Sequence, residues 1–138
     1  MNPLLAWIAG GLLTAMLSAA QGTPITASTP KRGGNPEGAR IKNPLAATPD
    51  SIAAGRRIYA RLCVRCHGPE GKGDGGGAGA GGQPADLTDS TWDFGASDGE
   101  IFTVLRDGTS ADMESYAERM TEHEMWNVVN YIRSIRQP

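Results

Sequence analysis

The stretch Cys63-Val64-Arg65-Cys66-His67 constrains this chain more than any other. It holds both cysteines of the 138 residues, with two residues between them and a histidine directly behind. Four chemistries use such a cluster: a disulfide, a zinc site, a redox dithiol, or covalent attachment of a haem. The residues around the cluster decide among them.

Those surroundings read as helix. Thr48 can cap a helix with Pro49 at its first position, and Ile52, Gly55, Tyr59 and Leu62 then share one stripe at helical spacing. Gly55 within that stripe leaves room for another helix to approach. A second helix is predicted from Ser97, with Glu100 completing a capping box and Asp107-Gly108 as the stop. A third is predicted from Thr121, again with a capping box at Glu124, running to about Arg136. Met125, Val128, Val129, Ile132 and Ile135 share its apolar face. No strand pattern is present, so the fold class is all-α. Residues 67–96 and 108–120 are long connections, and loops of that length in a small domain usually carry function.

In this setting zinc fits poorly. A closed zinc site needs four ligands, and the chain offers only Cys63, Cys66, His67 and the distant His123. A thioredoxin-type dithiol would follow a strand at a helix start, whereas this pair ends a helix. A plain disulfide leaves His67 without a purpose. Cys-x-x-Cys-His is the attachment signature for c-type haem. Each thiol adds to one vinyl group, two intervening residues span the gap between the vinyls, and His67 falls beneath the iron as an axial ligand. The nearby glycines from Gly71 to Gly76 match G-x-G-x-x-G, but they follow no strand and no Ser or Thr succeeds Lys72. They read instead as backbone running close to a flat porphyrin face. A large apolar cofactor also suits a chain with 6% aromatic residues, 19 glycines and 9 prolines, which has little core of its own.

The first 22 residues carry no charged side chain. An apolar run from Pro3 to Leu17 is followed by Ser18-Ala19-Ala20, which suits a signal peptide covering residues 1–20, or alternatively an uncleaved N-terminal anchor. Either one places the rest of the chain outside the cytoplasm, in the periplasm or on the outer face of the inner membrane. Residues 21–47, with four prolines, read as a linker. The compact domain is expected over residues 48–138.

The segments "AAGRRIYARLCVRCHGPEGKGDG", "PADLTDSTWDFGASDGEIFTVLRDGTSADM" and "TEHEMWNVVNYIRSIR" together resemble a bacterial class I monohaem c-type cytochrome. The resemblance covers residues 48–138. It implies the cytochrome c-like fold, a small helical domain wrapped around one covalently attached haem c and its iron. Gly55 and Tyr59 would meet the last helix near Trp126 or Tyr131. It also implies a proline carbonyl that orients His67, for which Pro84 is the nearest candidate. Glu114 departs from the resembling pattern, which often has proline after the methionine.

Four residues beyond His67 could bind iron on its other side: Met113, Met120, His123 and Met125. Met125 reads as core, and His123 as a solvated side chain between Glu122 and Glu124. Met120 stands before the Thr121 cap and Met125 four residues past it, the spacing of a hydrophobic staple. Met113 lies in a polar loop where the resembling family brings its methionine to the iron. It is the expected distal ligand, with Met120 as the alternative. A haem held by two protein ligands transfers electrons and has no open site for a substrate. Three functions follow: a periplasmic one-electron carrier, the expected one; a haem c subunit of a periplasmic dehydrogenase or terminal oxidase; and a catalytic haem protein such as a peroxidase, which needs a displaceable ligand. The carrier is expected to be a monomer.

The net charge is −2, and nothing in it points to nucleic acid. Its distribution is uneven. Residues 1–65 hold 8 basic and 2 acidic side chains, and residues 66–138 hold 5 basic and 13 acidic ones. Asp86, Asp89, Asp93, Asp98, Asp112, Glu114 and Glu118 are expected to ring the haem edge. An acidic ring would steer a basic redox partner, a dehydrogenase donor or an oxidase acceptor, into a transient complex.

Overall fold

A helix needs its first N–H groups satisfied, and each long helix of this chain begins on a side chain that does so. The computed structural model describes residues 30–77 and 82–136. The predicted signal peptide or anchor lies outside the described residues. Among the described residues five helices follow one another: α1 (Pro36–Arg40), α2 (Pro49–Leu62), α3 (Val64–His67), α4 (Asp98–Asp107) and α5 (Glu122–Ile135). Thr48 accepts a hydrogen bond from the Ser51 N–H at the start of α2. Ser97–Glu100 and Thr121–Glu124 form complete capping boxes on α4 and α5. Gly108, at φ +72°, ends α4 where the Asp-Gly pair predicted a stop.

α2 and α5 cross at Gly55. A Cβ on Gly55 would stand 2.0 Å from the carbonyl oxygen of Asn127 and 2.9 Å from Cβ of Tyr131. The two backbones are therefore in contact, and no L side chain fits between them. One turn on, the rings of Tyr59 and Tyr131 meet at 5.1 Å with a 55° tilt. Of the two residues expected at this crossing, Tyr131 is there. Trp126 lies on another face and stacks on Phe102 of α4, with centroids 4.1 Å apart and planes within 6° of parallel.

A polar ladder runs along the same crossing. Asn43 donates to the Asn130 side chain at 2.8 Å, Asn130 donates to the Ser51 hydroxyl at 2.8 Å, and Ser51 donates to Asn127 at 2.6 Å. Asn130 also donates to the Ala46 carbonyl. Asn127 and Asn130 are buried, so these partners replace the water both amides lose.

The stretch expected to be an unpacked linker contains α1 and docks on α4. Asn35 caps α1 by accepting from the Glu37 N–H, and Pro36 takes the first helical position. The Asn35 N–H donates to Glu100 Oε1 at 2.7 Å. A Cβ on Gly99 would stand 2.1 Å from the Gly38 carbonyl, so α1 and α4 touch backbone to backbone. Glycine at the contact leaves no apolar periodicity to read, which is why composition alone suggested a linker. Glu100 is the anchor of this contact. Burial pushes its carboxyl up, but hydrogen bonds from Ser97, Asn35 and Ala96 outweigh that and hold it below the usual glutamate range.

Candidate functional site

The Tyr59 carbonyl accepts from the Cys63 N–H, and Cys63 then ends α2 and caps the single turn of α3. The His67 N–H donates back to the Cys63 carbonyl at 2.9 Å. This turn gathers Cys63, Cys66 and His67 on the wall of one cavity of about 470 Å³. Leu87, Ile101, Leu105 and Ile132 contribute apolar wall, and Met113 and Tyr116 line the cavity as well.

The glycine-rich stretch folds back on α3. The Gly73, Gly75 and Gly77 N–H groups donate to the carbonyls of His67, Cys66 and Arg65 at 2.9, 3.1 and 2.9 Å. These are carbonyls that a helix end leaves without partners. A Cβ on Gly75 would stand 2.4 Å from the carbonyl oxygens of Val64 and Arg65. None of residues 71–77 lines the cavity. The sequence suggested that these glycines face a flat cofactor, whereas they lie backbone on backbone against the Cys-x-x-Cys-His turn.

The carbonyl that meets His67 belongs to Ala85, one residue past the expected Pro84. His67 Nδ1 lies 2.9 Å from the Ala85 oxygen. A carbonyl can only accept, so Nδ1 carries the proton and Nε2 keeps its lone pair. The Pro84 carbonyl is crowded by Gly73, whose Cβ would come within 2.3 Å of it. Burial pulls the His67 pKa down, against the opposing pull of the Ala85 hydrogen bond, and so favours the neutral imidazole that can bind a metal. Burial also pushes the Cys63 thiol up to about 12, with Cys66 adding to the rise. A raised pKa disfavours the Cys63 thiolate, the form in which a redox dithiol's nucleophile acts.

The four residues weighed as distal ligand separate clearly. Met113 lines the same cavity as His67. Its loop is a tight turn pinned to the end of α4: the Thr109 N–H donates to the Met113 carbonyl at 2.8 Å, Ser110 Oγ accepts from the Met113 N–H at 3.2 Å, and the Tyr116 N–H donates to the Leu105 carbonyl at 2.9 Å. Met120 and Met125 are buried in the hydrophobic core and do not reach the cavity wall. His123 is exposed and pairs with Asn127. Two thiols, an imidazole with a free Nε2, a thioether and apolar walls fit a c-type haem.

Two cavity residues have no signal in the sequence. Tyr116 lies between the cavity and α2, with its hydroxyl 3.4 Å from the Leu62 carbonyl. Arg32 comes from the stretch read as linker. The acidic ring is smaller than expected. Asp86, Asp89, Asp93 and Asp112 line the cavity, whereas Asp98 pairs with Arg133 at 2.6 Å and Glu114 pairs with Arg119.

A helical domain with one Cys-x-x-Cys-His turn on its cavity wall is a class I c-type cytochrome. Residues 50–132 match the family described as cytochrome c oxidase, cbb3-type, subunit III, and the chain belongs to that family. It is 29% identical over 92 residues to the cbb3-type cytochrome c oxidase subunit CcoP of Rubrivivax gelatinosus, covering 66% of this chain and 28% of that protein. The chain thus spans little more than a quarter of that relative's length. Among solved structures it is similar to the reducing HAO-like protein complex of Kuenenia stuttgartiensis, with a TM-score of 0.63 and 31% identity over 70% of this chain and 50% of the other. It shares its fold with cytochrome cL of Methylophaga aminisulfidivorans, with a TM-score of 0.56 and 24% identity over 65% of this chain and 59% of the other. The family binds covalently attached haem c, and its domains transfer electrons and do not act as enzymes.

Proposed function

We propose that this chain is a periplasmic one-electron carrier with a six-coordinate haem c. Cys63 and Cys66 form the thioethers, His67 is the proximal ligand and Met113 the distal one. The observation that carries this reading is that one cavity brings together Cys63, Cys66, His67 and Met113. When bound, the haem supplies the one-electron couple. The chain would fix the His67 tautomer through Ala85, supply apolar wall from Leu87, Ile101, Leu105 and Ile132, and offer the Met113 thioether from the wall of the same cavity. Export is supported by the apolar N-terminal run and by a covalent haem signature. Among the described residues no helix is long and apolar enough to cross a membrane.

The test is to produce the full chain in a bacterium that attaches haem to exported proteins, and then to denature it. Haem should stay with the parent chain and be lost from the Cys63→Ser/Cys66→Ser double variant. Release of haem from the denatured parent would sink the reading.

A second reading is a haem c subunit of a larger redox complex. Its support is the identity to an oxidase subunit and to a chain of the HAO-like complex. Size-exclusion chromatography of a native extract separates the two, because a carrier elutes as a monomer.

For a free carrier the partner face is the acidic part of the cavity rim. Asp89 and Asp112 stand there without an ion pair among the described residues. A basic redox partner should associate severalfold more slowly as salt rises from low to physiological strength, since exposed charges are screened beyond ~10 Å. A rate that stays flat over that range would remove the electrostatic docking.

A further inference from the structure

We infer that Arg32 is a carboxylate-binding residue of the cofactor site, the cation that receives a haem propionate. This rests on the haem reading above. Residues 30–41 lie outside the segment that matches the family, yet they form a strap docked on α4 that brings Arg32 to the cavity wall. Among the described residues that line it, Arg32 is the only Lys or Arg, and Asp86, Asp89, Asp93 and Asp112 line it too. Two carboxylates placed beside four aspartates repel them, and a cation at the rim offsets that repulsion.

The strap holds Arg32 in place for that role. The Gly33 N–H donates to the Asp93 carbonyl at 2.6 Å. Arg32 Nη1 donates to Asp93 Oδ2 at 2.6 Å, and the guanidinium lies 5.5 Å from the centroid of Phe94. Behind Arg32 the strap is fixed to α4 by the Asn35–Glu100 bond and the Gly38–Gly99 contact. One carboxylate occupies part of the guanidinium fork, and the other N–H donors remain for a second. The Arg32–Asp93 pair is largely exposed, at 76% and 56% of the two side chains, so it adds little to stability as an ion pair alone. Aiming the guanidinium is the better account of it.

The experiment compares the parent with Arg32→Gln, Arg32→Lys and Asp93→Asn in the full haem-loaded chain. The readouts are the propionate-bending band in resonance Raman spectra and the redox equilibrium with a one-electron mediator. Arg32→Gln should shift the band and move the equilibrium toward the oxidised protein by roughly threefold to tenfold, because an unmasked carboxylate favours ferric iron. Arg32→Lys should recover much of both, and Asp93→Asn, which loosens the aim of the guanidinium, should shift the band less than Arg32→Gln does and not favour the oxidised form. If Arg32→Gln loads no haem, recovery of loading by Arg32→Lys supports the assignment, and failure to recover counts against it. A band and an equilibrium unchanged in haem-loaded Arg32→Gln would overturn it. A parent without covalent haem overturns the underlying reading and this one together.

Discussion

Replacing Met113 with alanine is expected to abolish the weak far-red sulfur-to-iron absorption of the oxidised protein and to let the reduced protein bind carbon monoxide. Met113 lines the cavity that also holds His67, and its loop is pinned on both sides to the end of α4. With Met113 as the proposed distal ligand, loss of the thioether would leave the iron one protein ligand and an open face. Met120→Ala should act in the opposite way. Met120 is 4% exposed in the core beneath the α5 cap, so its loss should cost about 2–5 kcal/mol of stability while the band survives. Optical spectra of the two oxidised variants, with carbon monoxide titrations of the reduced forms, decide the matter. A band kept by Met113→Ala and lost by Met120→Ala would transfer the ligand role to Met120.

Gly55→Ala should destabilise the fold although alanine is the better helix former. Propensity alone favours alanine by ~1 kcal/mol in a helix interior. Against this, the new Cβ would stand 2.0 Å from a backbone oxygen of α5, and a backbone atom cannot swing aside as a side chain can. The helices must part, loosening the Tyr59–Tyr131 contact and the buried residues around it. A net loss of about 2 kcal/mol is expected for alanine and more for valine. Urea unfolding midpoints measure both, with Ala53→Val on the exposed face of α2 as the control. An alanine variant more stable than the parent would show that the crossing has slack.

Gly55 was legible from its place in a helical stripe, whereas Met113 was reached through its loop and the family resemblance; the most legible features were those with a strong local signature. Thr48-Pro49, Ser97-x-x-Glu100 and Thr121-x-x-Glu124 name helix starts because capping chemistry is local. The Cys-x-x-Cys-His spacing names its chemistry for the same reason. The features that escaped are made by contacts between backbones. α1 docks through Gly38 and Gly99, and the 73–77 stretch through hydrogen bonds to α3 carbonyls. Neither contact involves a side chain whose type or period could announce it. The carbonyl facing His67 is that of Ala85, while the Pro84 carbonyl lies close against Gly73, a detail of chain path that no residue type encodes. Arg32 was hidden because its stretch has the composition of a linker.

The amides at the α2–α5 crossing also fix a reading frame. A glycine notch alone would let α5 slide along α2 and settle one turn away, about 5.4 Å along the axis. In the observed frame Asn130 reaches Ser51 and Ala46, Asn127 reaches Ser51, and Asn43 closes on Asn130. One turn out of step, these buried amides would lose their partners, at a cost of about 1–3 kcal/mol for each group left unsatisfied. The ladder thus works as an indexing pin for the helix pair. Leu62 and Cys63 at the end of α2 and Ile132 on α5 share the cavity wall, so the pin also sets which part of α5 faces the haem-attachment turn.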